Sequence, residues 1–164
     1  MIAVLGASGR VGRHVAAGLA DAGVPARALV RNPDRVDLPI DAVHADLRRP
    51  DTLPAALRGV KRLLVLTPHV PEQDLLEAAA VDAAALAGVR RIVKVSGGPA
   101  TLGPNGTTAT ATAHWRGEQR IERAGVEFAF LRPCSSCRTC SRRRRPPCRG
   151  PASSARRSAT PRSP

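Results

Sequence analysis

Ile2-Ala3-Val4-Leu5-Gly6-Ala7-Ser8-Gly9-Arg10-Val11-Gly12 is the stretch whose reading decides the fold. A short apolar run of β type passes directly into three glycines, and residues of helical spacing follow from Val11 to Ala22. Glycine at these places allows a tight turn, a close approach of the backbone to a phosphate, and close packing of the next helix on the strand. The first amides of that helix have no partner within it, so they face an anion. The pattern predicts a dinucleotide whose pyrophosphate is cradled by Gly6, Ser8, Gly9, Arg10, Val11 and Gly12.

Outward from this turn, apolar runs of β type alternate with longer helical segments through residue 133, the signature of stacked βαβ units and a parallel sheet. The predicted strands are Ile2–Leu5, Ala26–Val30, Asp41–Ala45, Arg62–Leu66, Arg91–Val95 and Glu127–Leu131. The predicted helices are Val11–Ala22, Thr52–Leu57, Glu72–Ala87 and Ala113–Ala124, with Gly88 and Gly125 as stop signals for the last two. The fold expected is α/β, a doubly wound parallel sheet of Rossmann type, C-terminally truncated and followed by a disordered basic tail. Gly97 to Thr112, rich in Gly, Thr and Pro, reads as a loop at the sheet edge where such folds bind ligands.

The ends of the strands refine the site. An acidic residue closing the second strand binds ribose hydroxyls and selects NAD, whereas an arginine there accepts a 2′-phosphate. This strand ends Leu29-Val30-Arg31, so Arg31 predicts a preference for NADP(H) over NAD(H), with Arg10 and Arg35 as helpers. Asp46, beside Leu47 after the third strand, is placed to accept from the adenine amino group. Thr67 and Pro68, after the fourth, are placed to line the nicotinamide side of the groove.

The motifs Gly6 to Gly12, Ala45-Asp46-Leu47, Arg90-Arg91-Ile92-Val93-Lys94-Val95-Ser96 and Phe130-Leu131-Arg132-Pro133 occur in an order that resembles the NmrA-like, NAD(P)H-binding atypical short-chain dehydrogenase/reductases. The resemblance covers residues 1–133. It implies the fold and the cofactor, and a function that is either hydride transfer to a small quinone, carbonyl or imine-like substrate or non-catalytic sensing of the dinucleotide redox ratio. In the wider superfamily a Tyr-x-x-x-Lys pair supplies the proton. The chain contains no tyrosine, and the family's spacing puts Thr110 and His114 at those two positions. A tyrosine-dependent carbonyl reductase is therefore excluded. The candidate catalytic residues are His114, as an acid or base, and Ser96, where the superfamily often has a substrate-facing serine.

Composition separates two regimes. The 164 residues carry a formal +13, but nine of the 26 basic side chains and no acidic ones fall in residues 134–164, which leaves 17 basic against 13 acidic, a net +4, before them. All four cysteines lie in that tail, which has no Ile, Leu, Val, Met, Phe or Trp with which to offset its ordering entropy. The expected organisation is an NAD(P)-binding domain over residues 1–133 and a disordered Arg/Ser/Pro/Cys tail over residues 134–164. Cys134, Cys137, Cys140 and Cys148 have metal-ligand spacing but no framing elements, so no metal site is predicted. The arginines of the tail predict at most non-specific contact with nucleic acid. Codons permitted for Cys134 to Ser141, read in a shifted frame, give Gln-Phe-Met-Gln-Asn-Leu-Leu, the continuation the resemblance implies. A reading-frame shift near codon 133 or 134 is therefore expected, and the coding DNA across this junction tests it. No apolar run reaches the roughly 18 to 20 residues of a membrane span, and Met1 leads straight into Ile2, so the sequence reads as soluble and cytoplasmic.

Overall fold

The computed structural model describes residues 1–98 and 102–133. It has six strands, β1 (Ile2–Leu5), β2 (Ala26–Val30), β3 (Asp41–His44), β4 (Arg62–Val65), β5 (Arg91–Val95) and β6 (Glu127–Leu131). They form one parallel sheet in the order β3-β2-β1-β4-β5-β6. This is the doubly wound Rossmann order, whose direction reverses between β1 and β4 and opens a crevice at their carboxyl ends. Val4 sits between Ala28 and Leu64 in register, and Leu5 between Leu29 and Val65, so the central strand is apolar on both faces.

Four helices cover the sheet: α1 (Arg10–Asp21), α2 (Leu53–Ala56), α3 (Gln73–Leu86) and α4 (Ala109–Arg123). Val15 and Leu19 of α1 join Val4, Ala28 and Val30 on one face. Leu53 and Ala56 of α2, Ala80, Val81 and Ala84 of α3, and Ile121 of α4 pack with Leu63, Val65 and Ile92 on the other. The side of the sheet that carries Val93, Val95 and Ala129 is only half-buried, and Leu131 there is exposed.

Gly88 and Gly125 stop α3 and α4 with φ of +73° and +69°, as expected of αL helix ends. Several ends, those of β3, β4, α1 and α3 among them, move by a single residue, and two segments differ in a way that has a physical cause. The segment Thr52–Leu57 is a 3₁₀ turn (Pro50–Thr52) running into the single turn of α2. Helix α4 begins at Ala109 instead of Ala113, which shortens the loop expected to reach Thr112. The cause is Thr108, whose hydroxyl accepts from the Ala111 amide at 3.1 Å and so caps a helix start made of alternating Ala and Thr. The tail expected to be disordered, with its cysteines and arginines, lies outside the described residues.

Candidate functional site

A cleft of about 890 Å³ runs along the carboxyl ends of the strands. One end is made by backbone. Gly6 turns the chain out of β1 with φ +79°, and a Cβ there would overlap the carbonyl oxygen of Leu66. A Cβ at Gly12 would overlap the Gly6 carbonyl oxygen and the Ala7 Cα, so α1 packs against the turn at a distance only glycine permits. Gly9 is the N-cap of α1, and the first helical bond is that of the Arg13 amide to the Gly9 carbonyl at 2.9 Å. The amides of Arg10, Val11 and Gly12 thus precede the helical ladder, and no acidic side chain stands in the first turn. This concave, amide-lined start of a helix fits a pyrophosphate in shape and in charge.

With one exception, the positions singled out in the sequence for cofactor contact border this cleft: Gly6, Ser8, Gly9, Arg10, Val11 and Gly12 at the turn, Arg31 after β2, Asp46 and Leu47 after β3, Thr67 and Pro68 after β4. Arg35 does not, since it closes the short turn Pro33–Arg35 away from the lining. Arg31 is exposed and makes no ion pair among the described residues. One carboxylate oxygen of Asp46 accepts from the Arg48 amide at 3.0 Å, and its own amide donates to Thr52 Oγ1 at 3.0 Å, so the turn after β3 is held in shape. Arg48 itself borders the cleft and is paired to Glu72.

The other end of the cleft is made by side chains. Ser96 and His114 both border it. His114 is buried, 5% exposed, with Gly97 beside the ring: a Cβ on Gly97 would stand 3.1 Å from His114 Cδ2. Behind the ring lies a cluster that the sequence reading missed. Lys94 of β5 and Glu77 of α3 form an ion pair with both side chains 0% exposed. Glu77 Oε1 also accepts from Thr67 Oγ1 at 2.5 Å and from Gln73 Nε2 at 3.0 Å. Gln73 Nε2 lies 3.0 Å and Lys94 Nζ 3.2 Å from His114 Nδ1. Gly117 leaves room for the carboxylate, since a Cβ there would overlap Glu77 Oε2.

Burial, reinforced by the Lys94 charge and opposed by Glu77, lowers the His114 pKa to about 4, so the imidazole is neutral near pH 7. Burial likewise lowers the Lys94 pKa, against the pull of Glu77. Among the described residues, three buried side-chain polar atoms have no hydrogen-bond partner: Gln73 Oε1, Glu77 Oε2 and Ser96 Oγ. The Ser96 amide donates to the Leu131 carbonyl at 2.8 Å, so its hydroxyl is the atom left over on the cleft. One turn further along α4 on the same buried face, Glu118 accepts both prongs of Arg132, at 3.0 and 2.5 Å, which ties α4 to the segment after β6. The cluster had a sequence signal. Lys94 takes an inward position among Ile92, Val93 and Val95, and Gln73 and Glu77 share the helical stripe of Leu76, Ala80, Val81 and Ala84.

A glycine turn at a helix start, an arginine after the second strand and a crevice at the point of strand reversal together define a dinucleotide-binding protein of the doubly wound α/β class. The chain belongs to the NAD(P)H-binding family, whose profile matches residues 6–136. It is 35% identical over 139 residues to an NAD(P)H azoreductase of Xenophilus azovorans, covering 81% of this chain and 47% of that protein. It is 39% identical over 136 residues to a (4-alkanoyl-5-oxo-2,5-dihydrofuran-3-yl)methyl phosphate reductase of Streptomyces griseus, again covering 81% and 47%. Its fold matches an NADPH-dependent quinone oxidoreductase of Escherichia coli, solved with NADPH, at a TM-score of 0.69 and 29% identity, over 80% of this chain and 48% of that one. The chain thus spans about half the length of the curated relatives it matches. Among the described residues, no helix is long and apolar enough to cross a membrane, and no group of three His, Cys, Asp or Glu could hold a metal ion.

Proposed function

We propose that residues 1–133 are the NADP(H)-binding domain of a reductase acting on a small quinone, azo, carbonyl or imine-like acceptor. The observation that carries this reading is one continuous cleft, with a phosphate-sized glycine cradle at one end and a neutral buried histidine at the other. In this reading Gly6, Ser8, Gly9, Arg10, Val11 and Gly12 hold the pyrophosphate. Arg31 meets the 2′-phosphate, Asp46 and Leu47 flank the adenine, and Thr67 and Pro68 border the nicotinamide. The bound dinucleotide supplies the hydride. The chain's part is to orient the acceptor and to stabilise the charge that develops on its oxygen or nitrogen. His114 does so as a neutral hydrogen-bond donor, since an imidazole kept neutral by its surroundings can polarise an acceptor atom. Ser96 Oγ, buried on the cleft and unpartnered, offers a second donor.

Titration of the full chain with NADPH and NADH, followed by NADPH consumption in the presence of quinones, azo dyes and aldehydes, tests the proposal. Saturable binding with turnover of at least one acceptor is the expected result. Saturable binding with no consumption on any acceptor replaces the enzyme by a non-catalytic sensor of the dinucleotide ratio. Folded protein that takes up neither coenzyme overturns both readings.

A further inference from the structure

The cluster behind His114 is costly. It buries a lysine, a glutamate and a glutamine, and leaves two of their oxygens unpartnered. An apolar trio would fill the same space between α3, β5 and α4. Thr67 and Gln73 both spend a donor on Glu77 Oε1. That carboxylate oxygen in turn holds Lys94 Nζ beside the histidine.

The hydrogen-bond chemistry at His114 Nδ1 is one-sided. Lys94 carries donors only, and the amide nitrogen of Gln73 carries donors only. Both stand within hydrogen-bond distance of Nδ1, at 3.2 and 3.0 Å. An Nδ1 that accepts from either cannot carry a proton, so the ring proton must sit on Nε2. The orientation of the Gln73 amide is fixed by its other contact, because a carboxylate can only accept and Gln73 Nε2 is 3.0 Å from Glu77 Oε1. The opposite orientation would set the amide oxygen against the carboxylate. Nε2 of His114 lies farther from the same amide, at 3.5 Å.

We propose that Lys94 and Gln73, aligned by Glu77, are positioning residues that lock His114 in the neutral Nε2–H tautomer, so that the cleft is presented with a hydrogen-bond donor of fixed identity. This rests on the reading of His114 as the donor to the acceptor substrate, and it adds the groups that decide which nitrogen carries the proton. The arrangement also resists protonation of the ring. A second proton would have to enter Nδ1 against the Lys94 ammonium. The other titratable groups around the ring are Glu77 from α3, His69 from the segment after β4, with its ring edge-on at 5.4 Å between centroids, and Glu118 from α4 itself. The two carboxylates favour the charged ring, while Lys94, His69 and burial disfavour it.

The test is nitrogen NMR on the full chain without coenzyme, labelled in the imidazoles of its four histidines, with His114 assigned through His114→Asn. The expected spectrum shows His114 with protonated Nε2 and bare Nδ1 from pH 8 down toward about 4. Because Lys94→Met alone strands a buried carboxylate, the informative variant is Lys94→Met/Glu77→Gln, which removes both charges together. There no carboxylate fixes the Gln73 amide, whose oxygen can turn to accept from Nδ1–H, and the ratio of Nε2–H to Nδ1–H forms should fall by about tenfold or more. Gln73→Leu should shift the ratio in the same direction by less. A mixed or Nδ1–H tautomer in the parent protein overturns the lock, as does an unchanged ratio in a folded double variant. A locked tautomer whose loss, or the loss of His114 itself, leaves acceptor reduction unaltered would uphold the lock and sink the donor role instead.

Discussion

The two ends of the cleft are built by opposite means. At the β1–α1 end the recognising atoms are backbone amides, and the side chains have been removed: Gly6 and Gly12 touch main chain where a Cβ would overlap it. At the β5 end the working atoms belong to long side chains from three elements, Lys94 from β5, Gln73 and Glu77 from α3 and His114 from α4, all buried. The first kind of site forms whenever one local stretch folds. The second exists only when the sheet and two helices are already packed, so its integrity reports on the fold as a whole.

That contrast predicts where substitution is most damaging. Lys94→Met leaves the Glu77 carboxylate buried without its cation, which should cost about 3 to 5 kcal/mol of stability. The same change made together with Glu77→Gln should cost markedly less. Denaturant unfolding of the two variants checks this. Equal losses would mean that shape, and not charge compensation, holds this end together.

The next largest effect is in pH. The folded-state pKa of His114, about 4, lies below the value of 6.5 for a free histidine, so between these pH values the unfolded chain binds a proton that the folded chain refuses. Stability from this group is therefore complete above pH 6.5 and is lost as pH falls toward about 4, by up to about 3 kcal/mol. His114→Gln should flatten that part of the pH dependence. A variant with the slope of the parent protein would place the titration elsewhere.

At the backbone end, Gly12→Ala forces a methyl against the Gly6 carbonyl and the Ala7 Cα. Overpacking against main chain should cost about 1 to 3 kcal/mol. It should also weaken NADPH binding by at least about tenfold, because the displaced amides are the ones that, in the proposed function, face the pyrophosphate. Calorimetric titration beside thermal unfolding separates the two losses. If stability falls and affinity does not, the cradle lies elsewhere in the cleft.

The difference between the ends also explains what could be read from sequence. Strands such as Ile2–Leu5 and Arg91–Val95 were legible to the residue, because apolar runs between glycines and helical stripes have few alternative pairings in a parallel sheet. The glycine turn was legible because its chemistry is local and needs no distant partner. The start of α4 was not, since Thr-Ala alternation looks like a loop until the Thr108 cap is seen. The Lys94–Glu77–His114 cluster was not either. His114 stood out as a titratable residue on a helix, but its tautomer depends on residues 20 and 41 positions away. The stripe that Gln73 and Glu77 share with Leu76, Ala80, Val81 and Ala84 marks both as inward, but nothing in it names their partners on β5 and α4.

The smallest effect is the most selective. Arg31 follows β2 at a point where its backbone is pinned twice: the Ala45 amide donates to the Val30 carbonyl at 2.8 Å, and His44 Nδ1 lies 2.7 Å from the Arg31 carbonyl oxygen. The guanidinium leaves this fixed base exposed beside the cleft, with no ion pair among the described residues to give up before meeting a phosphate. Arg31→Asp should therefore leave stability within about 0.5 kcal/mol of the parent. It should move the ratio of NADPH to NADH affinity by about tenfold toward NADH, one charge-assisted contact exchanged for a ribose acceptor. A pyrophosphate cradle as proposed would serve both coenzymes alike, so this is the one substitution on the backbone side that should separate them. Equal losses for the two would show that Arg31 contributes general positive potential and no recognition of the 2′ position, and selectivity would then have to be sought at Arg10 or Arg48, the other arginines on the cleft.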